Sequence, residues 1–157
     1  MAATRTIREL IAEHPLLADL PAADIDLIAG CGQNVHIATG RHLFHEGEPA
    51  DTFYLVRSGR VAIEVAPPAG PSLIVSTTGP ESLVGWSWLF PPYRWQLDAR
   101  AVDEVSAIAI DGACLRGKCE SDNELGYRLM QRFAQLAVDN LLAARRQLLD
   151  LYGDNSG

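Results

Sequence analysis

The chain has 157 residues, 48% of them hydrophobic, enough for one good core and too few for a second. Its formal net charge is −7 and its 13 lysines and arginines are spread along the length, so it offers no basic face to a phosphate backbone and nucleic acid is not expected as a direct partner. No run reaches the ~18 apolar residues of a membrane span, and Arg5, Arg8 and Glu9 interrupt the start where a secretory leader would be apolar; a cytoplasmic protein without a membrane partner is expected.

Residues 4–13 and 21–30 read as short helices, with Pro15 and Pro21 as breakers and Asp24 charging the first turn of the second. Their Leu10, Ile11, Leu17, Ile25 and Ile28 can close one open end of a β structure. A short strand over 35–38 ends at Gly40, and its partner begins at His42. Glu46, Gly47, Glu48 and Pro49 form a reversal, since Gly47 has a permissive φ and Pro49 lacks the N–H a central strand needs. Beyond it, Phe53 and Leu55 alternate with Tyr54 and Val56, and Val61, Ile63 and Val65 with Ala62 and Glu64. Ser58 and Gly59 lie between these runs, so the spacing predicts a two-residue hairpin. The proline-rich stretch 67–71 turns the chain, 72–76 returns as a strand, and Thr78, Gly79 and Pro80 end it. Residues 94–102 and 105–110 alternate again, giving about nine strands of a roll or jelly-roll.

The tail reads as helix. Asp111 can cap a short helix to about Cys119, and Ser121 with Glu124 gives a capping box for a long one ending at Tyr152 and Gly153. Leu125, Leu129, Phe133, Leu136, Asn140, Ala144, Leu148 and Leu151 form one stripe along it, and Met130, Ala134, Ala137, Leu141 and Leu142 a second. Two stripes need two surfaces to bury against: the β-roll, and the same helix of a second copy. Cys31, Cys114 and Cys119 fit neither a zinc ribbon nor a disulfide framework and are expected as free, buried or half-buried thiols.

Gly40, Leu43, Phe44, Glu46, Gly47, Glu48, Ala50, Asp51, Phe53, Tyr54, Leu55, Val56, Gly59 and Val61 together resemble the first half of the cyclic-nucleotide-binding domain of catabolite-activator (Crp/Fnr-type) regulators. The resemblance extends over roughly residues 14 to 151. It implies a mainly β fold with flanking helices: an antiparallel β-roll over 34–110, N-terminal helices over 1–30, and C-terminal helices over 111–152, the last pairing two protomers. Such regulators continue into a winged helix-turn-helix, whereas five residues follow Tyr152 here, so a stand-alone domain without its own DNA-binding part is expected.

In that family a phosphate-binding cassette corresponds to 84–101. A glycine and a glutamate open a short helix facing the cyclic phosphate, the glutamate holds the ribose, and an arginine some ten residues on pairs with the phosphate. Helix N-terminus and guanidinium both favour an anion. Gly85 matches, but Trp86 stands at the glutamate position and Trp95 or Gln96 at the arginine position. Losing two charge-assisted bonds of roughly 1.5–3 kcal/mol each weakens binding about a hundredfold to ten-thousandfold. The candidate pocket is Gly85, Trp86, Ser87, Arg94, Trp95, Gln96 and Ala144, with Ala143 and Ala144 where the family sets polar side chains against the purine. Arg94 lies one or two residues from the arginine position and Arg100 is a weaker substitute. Trp86, Trp88, Tyr93 and Trp95 admit two readings: stacking on a flat ligand, or filling the hollow a nucleotide would occupy.

His42, His45, Glu46 and Glu48 can be drawn as a cupin-like metal cluster, yet such sites take ligands from a later strand and no histidine follows His45; no metal is expected. Ser87 lacks the glycine of a nucleophile elbow, so no catalytic residue is assigned. The expectation is therefore a non-catalytic sensor or regulatory domain with a degenerate phosphate cassette. It needs no cofactor, dimerises through Leu129, Phe133, Leu136, Asn140 and Ala144, and docks on an unidentified protein partner. The alternative is a working cyclic-nucleotide receptor that signals to a separate partner.

Overall fold

The computed structural model describes residues 6–154, so the first residues of the helix expected over 4–13 lie outside the described part. Helices α1 (Ile7–Glu13) and α2 (Ala22–Ala29) precede eight strands: β1 (Gly32–Ile37), β2 (His42–Phe44), β3 (Thr52–Ser58), β4 (Val61–Val65), β5 (Leu73–Thr78), β6 (Leu83–Val84), β7 (Asp98–Ala101) and β8 (Val105–Asp111). Two helices close the chain, α3 (Gly112–Ser121) and α4 (Asn123–Asp154). The strands form two four-stranded antiparallel sheets, ordered β1-β8-β3-β6 and β2-β7-β4-β5. The β-roll with flanking helices is as expected, with eight strands among the described residues rather than about nine.

The expected hairpin is not one. β3 pairs with β8 and β6, while β4 pairs with β5 and β7, so Ser58 and Gly59 carry the chain from one sheet to the other. Gly59 has φ +85°, and a Cβ there would collide with the carbonyl of Glu104 in the β7–β8 turn. A positive-φ glycine between two alternating runs serves a tight loop and a sheet-to-sheet corner equally, and neighbouring strands decide which.

Alternation along the strands sorts the core into two layers. From β3, Phe53 and Leu55 join Ile108 and Ile110 of β8 and the helices' Ile11, Ile28, Leu115, Leu125, Leu129 and Phe133. The opposite faces, with Val56, Ala107, Ala99, Ala101 and Val61, meet between the sheets. Small alanines face the sheet-to-sheet gap and large side chains face the helices, which lets the sheets approach closely.

Asp111 caps α3 as expected, its carboxylate accepting from Cys114 N–H at 2.9 Å. The cap of α4 is Asp122, not Ser121: its Oδ1 accepts from Leu125 N–H at 3.2 Å, because α3 continues through Ser121. Cys31 and Cys114 are joined in a disulfide, contrary to the expectation of free thiols. Antiparallel pairing of Gly32 with Ile110 brings the end of α2 beside the start of α3, with the two Cα atoms 6.0 Å apart. Cys119 is a half-buried free thiol whose pKa is pushed up by burial.

The stripe on α4 divides. Leu125, Leu129 and Phe133 are fully buried against the chain's own core, whereas Leu141, Leu148 and Leu151 stand exposed. Asp24 of α2, itself buried, accepts from both Nε and Nη2 of Arg128, the latter at 3.0 Å, and clasps the near half of α4 in place.

Candidate functional site

A cavity of about 370 Å³ opens between the β2-β7-β4-β5 sheet and α4. Its floor includes the two ends of the loop that joins β6 to β7, residues 85–87 and 95–97, and its roof is the helix face carrying Ala137, Asn140, Ala143, Ala144 and Gln147. Gly85 has φ +104° and sits against an indole: a Cβ there would lie 2.6 Å from Cη2 of Trp95. Trp95 stacks on Phe44 with ring centroids 3.7 Å apart and planes 8° off parallel. Three backbone bonds fix its position, from Gly47 N–H to Trp95 O at 2.9 Å, from Trp95 N–H to Glu48 O at 3.0 Å, and from Ala50 N–H to Tyr93 O at 2.7 Å. The chain between Trp86 and Leu89 makes one turn only, closed by Leu89 N–H to Trp86 O at 3.1 Å.

Gly85, Trp86, Ser87, Trp95, Gln96 and Ala144 all line this cavity, and so does Ala143. Arg94 does not. Its Nη1 donates to Gly47 O at 2.9 Å, and its backbone bridges Pro49, so β7 begins only at Asp98 instead of running from residue 94. Arg100 is likewise directed elsewhere, donating to the buried carboxylate of Glu64 within the sheet. Every side chain lining the cavity is uncharged. The polar ones include Ser76, Thr78, Ser87, Gln96, Asn140 and Gln147, and the hydroxyl of Thr78 is buried without a hydrogen-bond partner.

The four aromatics of the loop separate into different roles. Trp88 is fully buried, stacked on Phe53 and edge-on to Phe133, so it belongs to the core. Tyr93 lies beneath the Arg116 guanidinium at 4.4 Å from the ring centroid. Arg116 also donates to the carbonyls of Trp88 and Ala50, bracing the loop from behind; nothing in its spacing announced that role. Trp86 and Trp95 alone face the cavity. Of the two readings open for these rings, stacking on a ligand or filling the hollow, the described residues leave a cavity that Trp86 and Trp95 narrow without closing.

Sequence reasoning also missed Thr78, Val75 and Ser76, which β5 presents to the cavity, because a returning strand carries no mark of which face will be covered by a helix. Of the expected dimer residues, Leu129 and Phe133 face the chain's own core, Leu136 is half-buried against it, and Asn140 and Ala144 line the cavity. Asn140 Nδ2 donates to Leu136 O at 2.9 Å. Burial raises the pKa of the Tyr54 phenol, which donates to Leu43 O at 3.4 Å.

A separate group of donors lies at the outer end of the same sheet. His42, His45 and Asp98 place one ligand atom each within 4.8 Å of one another, the third donor coming from β7 as a carboxylate. The two imidazoles are stacked with centroids 4.1 Å apart.

The chain belongs to the cyclic nucleotide-binding domain family, whose description matches residues 34–122. Within that family its sequence is similar to that of a CRP-like regulator, and its fold is the β-roll of the family. It is 27% identical over 127 residues to the CRP-like cAMP-activated global transcriptional regulator of Mycobacterium tuberculosis, covering 81% of this chain and 57% of that protein. The chain thus spans little more than half the length of that relative. Among solved structures, a cyclic nucleotide-binding protein from Geobacter metallireducens GS-15 superposes with a TM-score of 0.77 at 26% identity, over 88% of this chain and 99% of that one. The N-terminal domain of a transcriptional regulator from Streptomyces coelicolor A3(2) gives 0.67 at 27% identity, over 85% and 94%. No described helix is long and apolar enough to cross a membrane.

Proposed function

We propose that this domain is a non-catalytic regulatory module whose cassette no longer clasps a cyclic phosphate, and that it acts through protein contacts as a homodimer. One observation carries the reading: the cavity where the family holds its ligand is lined by uncharged side chains alone, with the Trp95 ring lying against Gly85. A cyclic phosphate moved from water into such a lining would shed its hydration without gaining a guanidinium, and an unpaired buried charge is costly. Dimerisation is supported by the far half of α4, where Leu141, Leu142, Leu148, Leu149, Leu151 and Tyr152 form an uncovered apolar surface of the kind a second copy of the helix would bury. The cytoplasmic location suggested by the composition is part of this reading, and a reducing cytosol would keep the Cys31–Cys114 pair as open thiols.

The competing reading, a working receptor, is favoured by the hollow itself, which keeps about 370 Å³ and an unpartnered Thr78 hydroxyl. A thermal-shift series with 3′,5′-cyclic AMP and cyclic GMP separates the two. The proposal expects no saturable rise in Tm at micromolar nucleotide; a saturable rise overturns it in favour of the receptor.

A further inference from the structure

We propose that His42, His45 and Asp98 form a binding site for a first-row divalent cation such as Zn²⁺, at the edge of the roll and outside the nucleotide cavity. Two imidazoles and one carboxylate are a donor set suited to such ions. The fold brings them together from separate places. His42 opens β2, a register irregularity between His42 and Phe44 lets the strand turn, and His45 follows at the start of the reversal. Asp98 begins β7, the antiparallel neighbour of β2.

The three ligand atoms already lie within 4.8 Å of one another, and His45 Nδ1 is 3.9 Å from Asp98 Oδ1. Metal–ligand bonds of about 2.1 Å set tetrahedral donors about 3.4 Å apart, so binding asks the two exposed imidazoles to turn out of their present stack and draw the donors roughly an ångström closer. The carboxylate is held in advance: Asp98 Oδ1, the oxygen that faces His45, accepts from Glu46 N–H at 2.6 Å and keeps a second lone pair for a cation. Glu48 in turn accepts from His45 N–H at 2.9 Å, holding the turn that carries the second imidazole. Such outer bonds orient ligands and raise affinity. Arg100, the register partner of His42, is the nearby cation that would oppose binding, and its charge is compensated by Glu64.

The ion would sit at the base of the ladder linking residues 47–50 to 93–95, the ladder that holds Trp95 against the cavity. Occupancy there would tie β2, the turn and β7 into one unit. The site is independent of whether a cyclic nucleotide binds, so it stands or falls separately from the proposed function.

The test is a Zn²⁺ titration of the full, untagged chain, followed by elemental analysis after gel filtration and by Tm. The expected result is one zinc per chain and a saturable rise in Tm, with His42→Ala and Asp98→Asn each weakening binding at least about tenfold. Because His42 is exposed, His42→Ala should leave the Tm of the metal-free protein unchanged, which keeps the test valid if Asp98→Asn perturbs the turn. His36→Ala, at the remote His36–Glu104 pair, should bind zinc as the wild type does. Substoichiometric zinc, equal affinity in His42→Ala, or loss of binding in His36→Ala would each overturn the assignment.

Discussion

The two halves of α4 carry the same kind of apolar stripe and do different work. Leu125, Leu129 and Phe133 are fully buried under the roll, where Phe133 meets Phe53 and Trp88 edge-on. A few turns on, Leu141, Leu148 and Leu151 are 62%, 54% and 63% exposed. Periodicity of three and four defines a helix face but not what that face touches, because the pattern is the same whether the partner is one's own core or another chain. The near half is a structural anchor. The far half begins as the roof of the cavity, with Asn140 and Ala144, and ends as an uncovered apolar surface.

The contrast can be broken at either end. Phe133→Ala should cost about 3–5 kcal/mol, read as a lowered denaturation midpoint, because it removes a ring packed on all sides. If that substitution leaves stability intact and changes only mass in solution, the near half is an interface and the division fails. Asp24→Ala should cost about 2 kcal/mol, less than a wholly buried pair because Arg128 remains about a third exposed. Lys substituted for Asp24 should be worse still, since it sets two cations together at the base of α4. Leu141→Asp with Leu148→Asp should change the stability of the isolated chain by no more than about 0.5 kcal/mol while halving the mass seen by light scattering. An unchanged mass would remove the dimer from the account without touching the fold.

Much of the fold was legible in the sequence because its signals are local. Alternation in 53–56 and 61–65 marked two strands, Gly59 marked a tight reversal, and Asp111 marked a helix start. What escaped was set by contacts between distant residues. Whether Gly59 turned a hairpin or a corner depended on β8 and β7, and the bond between Cys31 and Cys114, 83 residues apart, depended on the pairing of β1 with β8. The candidate site shows the same limit. Gly85, Trp86, Ser87, Trp95, Gln96 and Ala144 could be placed through the family resemblance, and they do share one cavity. Arg94 could not be excluded by counting positions, because its guanidinium is held by the Gly47 carbonyl, a partner 47 residues away. The His42, His45 and Asp98 group was hidden for the same reason: its third member is a carboxylate on a different strand, not a third histidine.

The claim on which most depends is that the cavity offers no cation to a cyclic phosphate. Calorimetric titration of 3′,5′-cyclic AMP and cyclic GMP into the wild type and into Gln96→Arg, which puts a guanidinium on the cavity wall, tests it most directly. The account predicts no saturable heat from the wild type in the micromolar range and measurable, tighter binding by the variant. A one-site micromolar isotherm from the wild type itself would contradict it.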